Sequence, residues 1–435
     1  MMNSKIKIFN YNFYLKEILI IFFSYLLMEQ IFSWLFVPVS DIVLSYEKIL
    51  GFLLYGYMIY AFKELKKYER VYIVIFTFLL GRLVLESLYN YNTFFQQLTM
   101  YYILFPVIYA LFIKHICEKF DLDLLEFIAK FYLFTYIAFM LLYGRGFSFS
   151  LAEIEMDDYG PFSGDGRVIH ASKIYMMIIP FLWYLNSYIH KKKAKYLLPV
   201  IFCFIVIVIH QHRSVWSCCI LALLIFFTLN VRSNKGNVPK VLRPVVGALA
   251  IITLSYFIVS SLYPELIDFF ADRFSEIFNP AKEGSTGNFR IEQREVYGKM
   301  FWDRPFFGWS FEGFEMSNPL VDWWPEKTGQ HFHEGYMEML FYQGIVGFLF
   351  KYSLFVYVII KAFGKNLSDQ SIILVSFCLT GLLFSFNYVL PLIFWGHLGL
   401  CLYYIEKDDL KETSLDEAEE PYVLEGQTHN RLIGR

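Results

Sequence analysis

Charge is scarce in this sequence: Asp, Glu, Lys and Arg make up 18% of 435 residues, against about 25% in ordinary soluble domains. The charge present nearly cancels, to −2 at neutral pH. No basic surface is left for a nucleic acid, and none is expected as a partner. Cysteine is sparse too. Cys117, Cys203, Cys218, Cys219, Cys378 and Cys401 show no CxxC spacing, and all but Cys117 fall inside apolar runs. That excludes a disulfide framework and a cysteine metal site. No Gly/Ser-rich or Pro-rich linker divides the chain, and no internal repeat is visible. Lys5, Lys7 and Lys16 precede a first apolar run that is too long for a signal-peptide core and is followed by no small-residue cleavage site. An uncleaved start-transfer helix is expected there.

What the chain has in abundance is apolar and aromatic side chains, 57% and 20% respectively. About twenty consecutive apolar residues span a bilayer, and a helix is the one single-segment structure that satisfies its own backbone there. Such runs occur at 17–37, 48–62, 71–88, 98–114, 126–143, 171–189, 196–212, 214–230, 244–262, 335–360, 370–387 and 389–405. The expected fold is all-α, a polytopic membrane protein of about twelve transmembrane helices forming one membrane domain over 1–405. Tyr and Trp suit its interfaces and Phe its apolar centre.

Basic residues mark alternate short loops: Lys63, Lys66, Lys67 and Arg70; Lys114, Lys119 and Lys130; Lys191, Lys192, Lys193 and Lys195; Arg232, Lys235, Lys240 and Arg243; Lys361 and Lys365. The loops between them are nearly bare of positive charge. The positive-inside rule then places both termini in the cytoplasm and two longer segments, 144–170 and 263–334, outside. Residues 406–435, rich in Asp and Glu and without apolar periodicity, read as a disordered cytoplasmic tail.

The candidates for chemistry lie on the outer side. Residues 265–278 carry apolar side chains at near-helical spacing and suit a helix lying on the membrane surface. A second helix is expected over 288–303, ended by Pro305 and Gly308. Within it Arg290 and Arg294 stand four apart on one face, either bridged by an anion or paired with Glu292 or Glu295. Arg213 sits between two apolar runs too close together for a real loop, which holds a guanidinium at the outer interface. It is either a snorkelling side chain or part of an anion site, and Arg167 on the same face has the same two readings. His331-Phe332-His333-Glu334 closes the external segment. A zinc helix needs a second His four after the first, and that position is Met337. No metal is therefore expected, and a surface imidazole able to act as a general base near neutral pH remains. Arg82 and Glu86, four apart, read as a structural ion pair, and His397 as a core residue.

Three of these features together resemble the O-antigen ligase and O-antigen polymerase superfamily of bacterial envelope glycosyltransferases. They are Arg213-Ser214 opening an apolar span, Arg290 on an external helix ahead of Pro305-Phe306-Phe307-Gly308, and His333 ahead of Gly344-Ile345-Val346-Gly347. The resemblance covers about 200–347. The chain departs from the pattern where family members commonly have a small amide or hydroxyl residue after the motif His, here Glu334. It departs again where many have Trp four after the external Arg, here Arg294.

The resemblance implies a C-type glycosyltransferase architecture in the bacterial inner membrane and a glycan donor on undecaprenyl diphosphate. The acceptor would be lipid A–core or another glycan. Arg213 and Arg290 would hold the diphosphate, assisted by Arg294 and Arg167, with His333 as base and Glu334 and His331 beside the acceptor. No cofactor is expected. A repeat-unit polymerase is the neighbouring alternative to a ligase. A transporter or flippase of the same lipid-linked glycan is the alternative without chemistry, though it would be expected to show inverted repeats.

Overall fold

The computed structural model describes residues 5–8, 11–28, 37–143, 169–210, 212–233, isolated positions between 257 and 271, 286–309, 332–364 and 366–419. Over these the chain is helical except for a short hairpin that the apolar pattern did not announce. In it β1 (Lys5–Ile8) pairs antiparallel with β2 (Tyr11–Tyr14), Ile8 opposite Tyr11. The helices are α1 (Leu15–Leu26), α2 (Val37–Tyr60), α3 (Lys67–Tyr91), α4 (Phe105–Phe120), α5 (Leu125–Tyr143), α6 (Ala171–Met176), α7 (Ile178–Lys191), α8 (Ala194–Ile209), α9 (Arg213–Ser233), α10 (Thr286–Phe301), α11 (Gly335–Gly364), α12 (Asp369–Phe384) and α13 (Leu392–Glu419). Local chemistry fixes several of their starts. Glu17 accepts the Tyr14 N–H at 2.9 Å ahead of α1, and Glu69 accepts the Lys66 N–H at 2.7 Å ahead of α3.

Among the described residues three helices are long and apolar enough to cross a membrane: Lys67–Tyr91, Arg213–Ser233 and Gly335–Gly364. The apolar runs at 196–212 and 370–387 form the shorter helices α8 and α12. The run at 98–114 opens with a 3-10 turn, Leu98–Ile103, before α4 begins. The run at 244–262 and the amphipathic stretch 265–278 lie outside the described residues but for single positions.

The span expected at 335–360 is not one straight helix. Gly344 has φ 60° and ψ −163° and breaks α11 in two. The first half folds back along the second. The Tyr336 and Tyr352 rings are 4.9 Å apart, and a Cβ on Gly335 would lie 3.3 Å from the Tyr352 hydroxyl. The start of α11 is thereby set about 12 Å down the axis from the break, at 1.5 Å per residue.

The end of the bundle that carries the basic loops is tied by ion pairs. Lys114 is fully buried and reaches Glu69 at 2.7 Å, Glu118 at 2.6 Å and Glu406 at 2.8 Å. Lys66 joins Glu118 at 2.9 Å and Glu406 at 2.6 Å, while Tyr68 donates to Glu406 at 2.6 Å. Asp408 accepts from Ser368 at 2.8 Å and Ser371 at 2.6 Å, and Lys361 meets Asp409 at 3.0 Å. These contacts fall on α13 beyond Tyr404, and the backbone runs on as helix to Glu419. Residues 420–435 lie outside the described part.

Candidate functional site

At the opposite end, α10 lies against the start of α11. Tyr297, fully buried, packs its ring 4.7 Å from Phe332 and 5.2 Å from Phe341. That apolar contact brings two consecutive polar residues of α10 onto the segment ahead of α11. Gln293 accepts the His333 backbone N–H at 3.4 Å. Arg294 grips Glu334 with both arms of its fork, Nε to Oε2 at 2.8 Å and Nη2 to Oε1. Glu334 is 4% exposed at its side chain, Arg294 46%. The partner of Arg294 is thus neither Glu292 nor Glu295. The two positions at which the chain departs from the superfamily pattern are bonded to each other, so one departure balances the charge of the other.

Arg290, one turn before Arg294, faces the turn between α12 and α13, its guanidinium carbon 5.3 Å from the centre of the Tyr388 ring. The same ring meets His170 edge-on at 5.5 Å. The Gly335 N–H donates to the Ser385 carbonyl at 2.9 Å, which seats the His333–Gly335 segment on that turn. Tyr388 and His170 are the residues sequence reasoning missed. Tyr388 carried a signal, since Asn387–Tyr388 interrupts two apolar runs. His170 carried none.

Arg213 opens α9, and the chain before it is fastened tightly. His210, buried, shares a 2.6 Å hydrogen bond with Tyr136; His212 donates to the Ile169 carbonyl at 2.6 Å; Trp216 donates to Ile207 at 2.9 Å. The bond from His212 to Ile169 places the start of α9 beside His170, hence on the Tyr388 side of the bundle. His170 caps α6, its Nδ1 accepting the Ser172 N–H at 3.2 Å. Burial, with Lys173 nearby, holds that imidazole below its usual pKa. Of the residues singled out from sequence, Arg213, Arg290, Arg294, His333 and Glu334 share this end of the bundle. Arg167 and His331 lie outside the described residues.

The two glycine motifs have a single explanation. The turn Pro305–Gly308 fills the break in α11: Ile345 N–H donates to Pro305 at 2.8 Å, Val346 to Phe306 at 3.1 Å and Trp309 to Phe341 at 2.6 Å. Gly308 has φ +71°, and a Cβ on it would stand 2.5 Å from the Phe341 carbonyl. One on Gly344 would run into the Phe306 backbone. Only glycine permits this approach. Arg82 clamps the turn from α3, bonded to Glu86 at 2.7 Å as the i,i+4 spacing implied, and to the Phe307 carbonyl at 3.2 Å.

The chain is an α-helical membrane protein in which arginine and histidine residues gather at one end of the bundle. A family model described as O-antigen ligase matches residues 198–351, a stretch that includes Arg213, Arg290, Arg294, His333, Glu334, Gly308 and Gly344. Over that stretch, about a third of its length, the chain is similar to the O-antigen ligase family. No curated protein matches the chain.

Proposed function

We propose that the protein transfers a glycan from undecaprenyl diphosphate to an acceptor hydroxyl at the outer face of the bacterial cytoplasmic membrane, in the manner of an O-antigen ligase. The chain crosses the membrane about twelve times, with both termini inside. The observation that carries the reading is the attachment of the His333–Glu334 segment to the arginine-bearing helix α10 and to the Tyr388 turn.

Breaking the bond between the anomeric carbon and a diphosphate oxygen develops negative charge on the leaving group. Guanidiniums fixed in a recess stabilise that charge without reorganising, and their forked geometry fits phosphate oxygens. Arg290, with its plane supported by Tyr388, and Arg213 at the start of α9 hold the diphosphate. Arg167 adds to the same field. The His333 imidazole takes the proton as the acceptor hydroxyl attacks from the opposite face, which inverts the anomeric centre. Arg294 acts at one remove, since Glu334 engages its fork and the pair fixes the residue next to His333. His331 is assigned to the acceptor side of the reaction. Arginine charge takes the place of a metal ion, and no cofactor enters.

The test is glycan display in cells carrying Arg213→Ala or Arg290→Ala at matched expression. Losing one preorganised donor lowers rate by about 10²–10³, so each variant loses the transferred glycan. Lys at either site restores transfer only in part. Normal display in both alanine variants would reduce these arginines to interfacial anchors and end the proposal.

A further inference from the structure

A space lies beside the segment that follows the Tyr388 turn. It is a cavity of about 330 Å³ walled by Tyr101 and Tyr102 of the 3-10 turn, by Pro106 at the start of α4, by Leu390, and by one charged residue from each half of α11, Glu338 and Lys351. Lys351 is 4% exposed, and its ammonium lies 5.3 Å from the centre of the Trp395 ring. Neither the Lys351 ammonium nor the Glu338 carboxylate makes a hydrogen bond or ion pair with another described residue. The fold-back at Gly344 brings the two to one cavity yet leaves them apart. Two opposite charges held unpaired inside a membrane domain are costly unless something polar lies between them.

We infer that this cavity binds an uncharged, polyhydroxylated ring, a glycosyl unit of the lipid-linked donor or of the acceptor. An anion would gain from Lys351 and lose to Glu338, and a cation the reverse. A ring of hydroxyls accepts from the ammonium and donates to the carboxylate at once. Tyr101, Tyr102, Pro106 and Leu390 offer the apolar surface that the C–H face of such a ring packs on. The volume is at the lower end of small-molecule pockets, which limits the ligand to one or two rings. That a glycan is the ligand rests on the function proposed above; the charge arrangement stands without it.

The experiment uses the full chain in detergent micelles, with methyl β-glucoside and methyl β-galactoside as probes and inorganic phosphate as the ionic control, read by saturation-transfer NMR. At least one glycoside should bind saturably and phosphate should not compete. Glu338→Gln and Lys351→Met should each weaken binding about tenfold or more, the loss of one charge-assisted hydrogen bond. Leu390→Trp, which fills the space without altering charge, should abolish it. Glu338→Gln is nearly isosteric and keeps the test sound if the other two misfold. Adding lipid-linked donor and acceptor separately identifies the source of the ring, as the one that displaces the glycoside. Arg290→Ala should leave glycoside affinity unchanged, so a failed transfer mechanism and a failed cavity assignment are told apart. Absence of saturable glycoside binding, competition by phosphate, or glycoside binding that Glu338→Gln leaves unchanged would overturn the inference.

Discussion

The pair Arg294–Glu334 is asymmetric, and its energetics follow from that asymmetry. Glu334 is buried and Arg294 is half exposed, so the carboxylate depends on the guanidinium more than the reverse. Arg294→Ala leaves a buried carboxylate without its partner. The full cost of breaking a buried pair is about 3–5 kcal/mol, and the exposure of Arg294 lowers it to roughly 1–3 kcal/mol. Glu334→Gln removes the charge that needs compensating and should cost less. The double variant should recover part of the loss of Arg294→Ala, as measured by thermal unfolding in detergent. Equal losses in both single variants would mean the pair does not work as described. None of this was legible in the sequence. Helical spacing places Arg290 and Arg294 on one face, but a contact forty residues away depends on how Tyr297 packs against Phe332 and Phe341. The neighbours Glu292 and Glu295 were the obvious partners for that reason. By contrast, His333 and Arg213 could be singled out, because polar residues at the edges of long apolar runs stand out by composition alone.

At the scale of elements, the backbone contact between the 305–308 turn and the break in α11 should be the least tolerant place in this region. Ala at Gly308 or Gly344 must hold a positive φ, which costs about 1–3 kcal/mol, and must push backbone aside as well. Each variant should lose at least about 2 kcal/mol of stability. The double variant should lose less than the sum, because both act on one contact. Additive losses would show that the two glycines act independently. Both motifs were visible in the sequence; that they meet was not, since an apolar run reads the same whether straight or folded back. A second element-scale consequence concerns the start of α6. The folded-state pKa of His170 lies below its usual value, so the neutral imidazole is the form that caps the helix. The stability it contributes is present above about pH 6.5, the unfolded value, and is lost as pH falls through the lower folded value. Thermal midpoints measured from pH 8 to pH 5 should fall more steeply in the wild-type protein than in His170→Asn, which caps without titrating. Identical slopes would remove the cap from the account.

At the scale of the whole molecule, helical class and the grouping of basic residues at one end followed from composition and loop charge. The form that each apolar run adopts did not. Apolar runs of similar length became a long helix at Lys67–Tyr91, a 3-10 turn with a shorter helix at Leu98–Phe120, and a fold-back at Gly335–Gly364. The fold-back turns on the break at Gly344, which the 305–308 turn fills with backbone hydrogen bonds. The proposed orientation is tested by cysteine labelling in intact cells: Ser285→Cys should react with an impermeant reagent and Asn234→Cys should not, and the reverse pattern would put the recess on the wrong side. The central claim is that His333 removes a proton from the acceptor while arginines hold the leaving diphosphate. It is tested most directly by transfer between purified lipid-linked donor and acceptor with His333→Ala. A general base is worth about 10²–10⁴ in rate, so transfer should fall by that factor while donor binding stays within about threefold of wild type. Transfer at the wild-type rate in the His333 variant would contradict the account.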